Sequence, residues 1–265
     1  MQDILKNIDT DAGVLIESFR LKENTIERNK VIAAKNEKKA FVPASLCKLL
    51  TVMLVWDKAK YLILDKTLVR VPTSVLPGSS EAFQIAREGE IVDLSILIKA
   101  TLIMSSNEAA YTLADWHSGS QEAFVENMNK KALSLGLVNS KFTSSHGLDR
   151  QAITTVEDMS KLSKLFIERC SPLLAYSNQN SFEFNDKEWF SSNKLHVKYP
   201  EIRGLKTGFL AGIGANLINY WVYNDTHYLC TILGSETGKL RYEIAENVLL
   251  RSRDYNKTIA KLKLL

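Results

Sequence analysis

Strand-like apolar runs sit only near the two ends of this chain, and helical spacing fills the middle. Gly13-Val14-Leu15-Ile16 and Lys30-Val31-Ile32-Ala33-Ala34-Lys35 are the first two runs, and the polar stretch 21–29 between them reads as a long turn. Near the other end come Ile202 to Lys206, Ala215 to Tyr223 and His227 to Leu233, with Asn224-Asp225 as a hairpin turn between the last two. Between these groups, Leu46, Leu49, Leu50, Met53 and Leu54 predict a helix from Ser45 to about Lys60. Asp93 caps a second helix to about Met104, Ser105 or Ser106 starts a third to about Trp116, and Ser120 caps a fourth that Gly136 stops. Thr154 or Thr155 caps a fifth, with Thr155-x-x-Asp158 as a capping box, and a last helix runs from about Gly238 past Leu250. Terminal strand groups can share one sheet only if the helical middle is an insertion. The hairpin signals make that sheet antiparallel and the class α/β in the α+β sense, not doubly wound. The expected organisation is one domain over 1–265. Its sheet comes from about 12–40 and 200–235 with the C-terminal helix, and its helical insertion covers about 60–190.

A chain of 265 residues can bury a sizeable core, and 45% apolar with 24% charged residues excludes disordered and fibrous classes. The net charge of +4 comes from 34 basic residues interspersed with 30 acidic ones, with no basic stripe for nucleic acid. The apolar stretches Leu49 to Trp56 and Leu94 to Met104 are too short to span a membrane, and the first ten residues hold no signal-peptide core. The basic amphipathic tail 256–265 reads as a helix end rather than a membrane contact. Cys47, Cys170 and Cys230 read as small buried hydrophobes, and His117, His196 and His227 have no ligand spacing, so neither a metal nor a cofactor is expected.

Three short motifs carry chemistry. Ser45-Leu46-Cys47-Lys48 places Ser-x-x-Lys at a helix start, Ser105-Ser106-Asn107 lies at a helix junction, and Lys206-Thr207-Gly208 ends an expected strand. Residues i and i+3 share a helix face, so the Lys48 amine reaches the Ser45 hydroxyl. A serine needs a base to become a nucleophile, and a lysine serves if burial or a neighbouring cation such as Lys206 lowers its pKa. Amides at the helix start can hold an oxyanion. Ser105 and Asn107 can supply a proton shuttle and a hydrogen bond to a substrate amide. Thr207 can bind a carboxylate, and Gly208 lets a substrate backbone lie against the strand edge. Singly the motifs are weak, since Ser191 to Lys194 repeats the first and Ser191 to Asn193 the second. Lys-Thr-Gly occurs once, against about one such chain in twenty by chance. Order, separations of 60 and 101 residues, and structural context make the set specific.

The three motifs resemble those of the penicillin-recognising serine enzymes. The match is closer to the low-molecular-mass penicillin-binding proteins of the D-alanyl-D-alanine carboxypeptidase family, serine peptidase family S11. Residues 30–45 resemble that family's second strand and the approach to its nucleophile. Ser105-Ser-Asn-Glu-Ala-Ala resembles its Ser-Gly-Asn-Asp-Ala. His146-Gly-Leu-Asp149, followed by Thr154-Thr-Val-Glu-Asp-Met, resembles its Gly-Leu-Asp loop and next helix. Residues 202–208 with Gly214-Ala-Asn-Leu217 resemble its third and fourth strands. The resemblance runs from about Ala12 to about Tyr255.

It implies an antiparallel five-stranded sheet flanked by helices, with a helical subdomain. It implies Ser45 as the acylated nucleophile, Lys48 as its base, Ser105 as the third catalytic group, and Asn107, Lys206, Thr207, Gly208 and Phe209 as substrate-binding residues. The Ser45 and Phe209 amides would form the oxyanion hole, and His146 and Asp149 either shape the site or form a surface turn. The implied substrate is a peptidoglycan stem peptide ending in D-Ala-D-Ala, outside the cytoplasm, with β-lactams as covalent inhibitors and no nucleic-acid partner. Membrane association would need segments this sequence does not contain. Cys47 stands where threonine is usual and should point away from Ser45. Phe209-Leu210 replaces an aromatic residue or His followed by Thr. Ser192 stands about where many members have an arginine near the substrate carboxylate, and Arg203 either replaces it or is an exposed strand residue. A DD-endopeptidase uses the same residues. A class A β-lactamase would need Glu157 as a deacylating base, and a penicillin sensor would never turn over.

Overall fold

The computed structural model describes residue 5, residues 11–72 and residues 85–262, with side chains to residue 254. A five-stranded antiparallel sheet runs in the order β2-β1-β9-β8-β7, from β1 (Gly13–Lys22), β2 (Thr25–Lys35), β7 (Ile202–Leu210), β8 (Gly214–Tyr223) and β9 (Thr226–Ser235). The two ends of the chain thus meet as β1 against β9, with Gly13 opposite Leu233 and Phe19 opposite His227. Asn224 and Asp225, both with positive φ, make the tight turn between β8 and β9.

The stretch 21–29 is not a long turn. β1 continues to Lys22, Glu23 and Asn24 turn the chain at positive φ, and β2 starts at Thr25. This outer hairpin escapes an apolar search because β2 is an edge strand with most of its residues exposed, so its pairing needs no apolar pattern.

The middle is α1 (Lys48–Ala59), α2 (Leu94–Lys99), a single wide helical turn Ala100–Met104, α3 (Asn107–Ser118), α4 (Gln121–Ser134), α5 (Val156–Arg169) and the short α6 (Leu174–Ser177) and α7 (Leu195–Lys198). α8 (Gly238–Leu262) closes the chain. Ser106, Ser120 and Thr155 accept hydrogen bonds from Ala109, Ala123 and Asp158 amides as N-caps, whereas Asp93 caps by position without a side-chain bond. The insertion is not purely helical: β3 (Leu68–Arg70) pairs with β4 (Ile91–Asp93), and β5 (Ser181–Phe184) with β6 (Lys187–Phe190). Strands of three and four residues are too short to show a period.

The sheet buries both faces. Phe19, Leu205, Ile218, Tyr220, Leu229 and Leu233 join α1, α3 and α5 in one core, while Ile16, Ile202, Trp221, Tyr228 and Ile232 pack on Ile244, Val248 and Leu249 of α8 in the other. Each fully buried large apolar side chain contributes about 1.5–3 kcal/mol relative to exposure. α1, buried along almost its whole length, packs on α3, α4 and α5, and the short turn just before it, residues 44–47, faces β7 and β8. None of the described helices is long and apolar enough to cross a membrane.

Candidate active site

Chain geometry before α1 sets the site. Pro43 leads into a single 3-10 turn, Ala44–Cys47, in which Ala44 holds φ at 49°, an uncommon and costly conformation for a residue with a side chain. Surrounding contacts enforce it. Asn216 Nδ2 on β8 donates to the carbonyls of Val42 (3.0 Å) and Pro43 (2.9 Å), while its Oδ1 accepts from the Gly234 amide (2.8 Å). Gly147 lies so close that a Cβ there would stand 2.1 Å from the Ala44 carbonyl oxygen. Gly208 faces the same turn: a Cβ would meet Pro43 O at 3.2 Å and Leu46 Cγ at 3.4 Å. The bare position at Gly208 therefore also leaves room for the Ser45 turn, which a side chain there would crowd.

Ser45 is half-buried and Lys48 fully buried. Lys48 Nζ donates to Ser45 Oγ (2.8 Å), Asn107 Oδ1 (2.7 Å) and the His146 carbonyl (2.6 Å). Burial pushes the Lys48 ammonium down to about 8. Lys206 is also buried and donates to the Thr207 carbonyl at 3.0 Å. Its pKa falls well below the ordinary amine value, first through burial and next through the Lys48 charge. Burial, not the Lys206 charge, is what depresses Lys48. Cys47 turns its sulfur toward Gly147, and burial pushes its thiol up to about 12, so it stays protonated.

Ser105 is half-buried and left-handed (φ 66°), where the wide turn ends. Ser106 alone caps α3 and thereby aims Asn107, the first helical residue, at Lys48. Lys206-Thr207-Gly208 lies inside β7, not at its end, because the strand continues through exposed Phe209 to Leu210 on the free edge of the sheet. Thr207 Oγ1 shares a 2.6 Å hydrogen bond with Ser192 Oγ, which also reaches the Ile103 carbonyl. From α8, Tyr242 donates to the Ser192 carbonyl (2.8 Å), and Arg241 donates to the carbonyls of Gly208 (2.5 Å) and Asn216 (2.9 Å).

His146 contributes its carbonyl rather than its ring. The ring Nδ1 accepts from the Leu148 amide, and burial pushes the imidazole down to about 4, so it stays neutral. Asp149 accepts from the Thr143 and Ser144 hydroxyls and the Gln151 and Ala152 amides, which pins the loop that carries His146. Four other residues fall outside the cluster. Arg203 lines a surface depression with Pro200, Glu201, Tyr223 and Arg253, so it does not stand in for an arginine at Ser192. Ser191 Oγ accepts from the Asn193 amide and Lys194 is exposed, so the second Ser-x-x-Lys builds no pair. Glu157 sits in the first turn of α5, against β1 and β9, with its amide on the Glu37 carbonyl. Among the described residues, no group of three or more His, Cys, Asp and Glu side chains could hold a metal.

Sequence reasoning missed Asn216 and Arg241. Asn216 was visible as part of the Gly214-Ala-Asn-Leu217 resemblance but with no role attached, and Arg241 only as one more charge in an amphipathic helix. Chemically, the cluster offers a hydroxyl against a depressed buried amine, beside a free strand edge.

A family model described as D-alanyl-D-alanine carboxypeptidase matches residues 15–237. The chain is similar to D-alanyl-D-alanine carboxypeptidase DacC of Escherichia coli (strain K12), at 32% identity over 244 residues, covering 88% of this chain and 60% of that protein. It is also similar to the D-alanyl-D-alanine endopeptidase of the same organism, at 31% identity, covering 76% of this chain and 66% of that protein. Among solved structures, penicillin-binding protein D2 from Listeria monocytogenes, in its ampicillin-bound form, superposes with a TM-score of 0.78 at 26% identity, covering 92% of this chain and 97% of that one. The chain spans 57–60% of the length of the first three carboxypeptidases it matches.

Proposed function

This chain belongs to the D-alanyl-D-alanine carboxypeptidase family, and from that membership we propose that it is a single catalytic domain releasing the terminal D-Ala from peptidoglycan stem peptides. The observation that carries the reading is Lys48, a buried amine bonded at once to Ser45 and Asn107. Ser45 Oγ attacks the carbonyl of the penultimate D-Ala while neutral Lys48 takes its proton. The Ser45 and Phe209 amides hold the oxyanion. The proton passes through Ser105 to the departing amine, the C–N bond breaks and D-Ala leaves. Water then adds to the Ser45 ester with Lys48 again as base, and the shortened peptide is released. Asn107 orients the substrate amide. Thr207, with Ser192, receives the terminal carboxylate. Lys206 supports the Lys48 side of the pocket. Asp149 acts through the loop it pins.

β-Lactams acylate the same serine. Their leaving amine stays tethered, where it obstructs the hydrolytic water, and Glu157 is not part of the Ser45 cluster. A long-lived adduct is therefore the expected product. The ampicillin-bound relative supports this reading. The substrate class sets the location: outside the cytoplasm, on the cell-wall side.

A DD-endopeptidase cutting crosslinks is the second reading, favoured by the endopeptidase among the relatives and by uncharged Ser192 beside Thr207. Incubation with diacetylated Lys-D-Ala-D-Ala and with a crosslinked muropeptide, followed by product identification, tests both. Free D-Ala from the tripeptide supports the carboxypeptidase. Cleavage of the crosslink alone supports the endopeptidase. Turnover of neither removes the peptidase reading.

A further inference from the structure

Arg150 ties the loop after His146 to the connection between β7 and β8. It follows Asp149 in the loop whose His146 carbonyl holds Lys48. Its Nη2 donates 2.7 Å across to the Ala211 carbonyl, and its guanidinium nitrogens lie 3.5 Å from where a side chain on Gly212 would begin. Residues 211–213 connect β7 to β8 directly after Phe209 and Leu210. Ala211 offers a neutral oxygen, so the bond leaves the arginine's charge in place. The Asp149 carboxylate is turned to Thr143, Ser144 and Ala152 instead, and among the described residues no carboxylate pairs with Arg150. The side chain is exposed, and a guanidinium has five donors, of which this contact takes one.

The direction of the strand says what this charge meets. A peptide with its scissile carbonyl at the Phe209 amide and its terminal D-Ala toward Thr207 runs its earlier residues toward Leu210 and Ala211. At a rise of about 3.3 Å per residue, the residue before D-Ala-D-Ala comes abreast of Leu210 and Ala211, within reach of the guanidinium. We infer that Arg150 is a specificity-determining residue that selects stem peptides carrying a carboxylate on the side chain immediately before D-Ala-D-Ala. The inference rests on the peptidase reading above. A fork of N–H donors suits a carboxylate, and the pinned loop presents it from a fixed backbone.

The test compares two tripeptide probes, Nα-acetyl-Lys-D-Ala-D-Ala with the lysine ε-amine either acetylated or succinylated, the second ending in a carboxylate. D-Ala release at low ionic strength gives the ratio of kcat/KM values. The wild type favours the succinylated probe about two- to fivefold, the scale of an exposed charge pair. Arg150→Lys keeps the preference and Arg150→Glu reverses it, a change that loss of a structural contact alone does not produce. The same ratio in wild type and Arg150→Glu overturns the inference, as does a wild type with no preference. Wild-type enzyme that releases D-Ala from neither probe overturns the peptidase reading instead.

Discussion

Lys48 Nζ lies 2.8 Å from Ser45 Oγ, and its other two hydrogen bonds run to Asn107 Oδ1 and the His146 carbonyl. Those last two oxygens accept and do not donate. When Lys48 loses a proton, its two remaining N–H groups stay on them, and the new lone pair can face only Ser45. The neutral amine is thus already aimed at the Ser45 hydroxyl, as the proposed role of Lys48 as base requires.

Burial sets the Lys48 ammonium at about 8, so acylation of Ser45 by benzylpenicillin rises with pH to a midpoint near 8. Rates measured from pH 6 to pH 10 check this. A flat profile would detach the rate from Lys48. Lys48→Arg keeps the charge and cannot accept a proton, so its acylation falls at least about a hundredfold.

Asn107→Asp places a carboxylate 2.7 Å from Nζ in place of a neutral oxygen. The added negative charge favours the ammonium. The midpoint therefore moves up by about one to three pH units, and the rate at pH 7 drops. An unmoved midpoint would show that Asn107 does not bear on the amine.

Which serine to choose was legible in the sequence only through company. Ser45 and Ser191 both head a Ser-x-x-Lys, and the motifs at Ser105 and Lys206 favoured Ser45. In the structure Lys48 bonds to Ser45, and Lys194 is exposed. Sheet composition was legible because β1, β8 and β9 are apolar runs. Of β2, residues 30–35 were legible as an apolar run, while residues 25–29 were not, because an exposed edge strand needs no apolar face. The supports were the least legible. Asn216 meets Val42 and Pro43 across more than 170 residues, and no local pattern encodes such a contact.

Gly147→Ala puts a Cβ 2.1 Å from the Ala44 carbonyl oxygen and adds a side chain at φ +80°. The Ala44–Cys47 turn must shift, and the His146 carbonyl with it. Acylation falls by more than tenfold, and stability falls by about 1–3 kcal/mol. Thermal unfolding together with penicillin labelling checks this. Wild-type labelling would show that the loop does not set the turn.

Asn216→Ala removes the bonds to Val42, Pro43 and Gly234, leaving buried backbone groups without partners. At about 1–3 kcal/mol for such groups, the melting midpoint falls by several degrees. Labelling slows as the Ser45 turn loosens. An unchanged midpoint would contradict the structural role given to Asn216.

The most direct measurement is a short pulse of benzylpenicillin followed by intact-protein mass spectrometry over time and peptide mapping. One adduct per chain is expected on the peptide that contains Ser45, persisting long after the pulse and absent from Ser45→Ala. An adduct on Ser191, or one retained by Ser45→Ala, would contradict the assignment of the nucleophile. Loss of the adduct within seconds, with catalytic destruction of the penicillin, would contradict a site without a deacylating carboxylate.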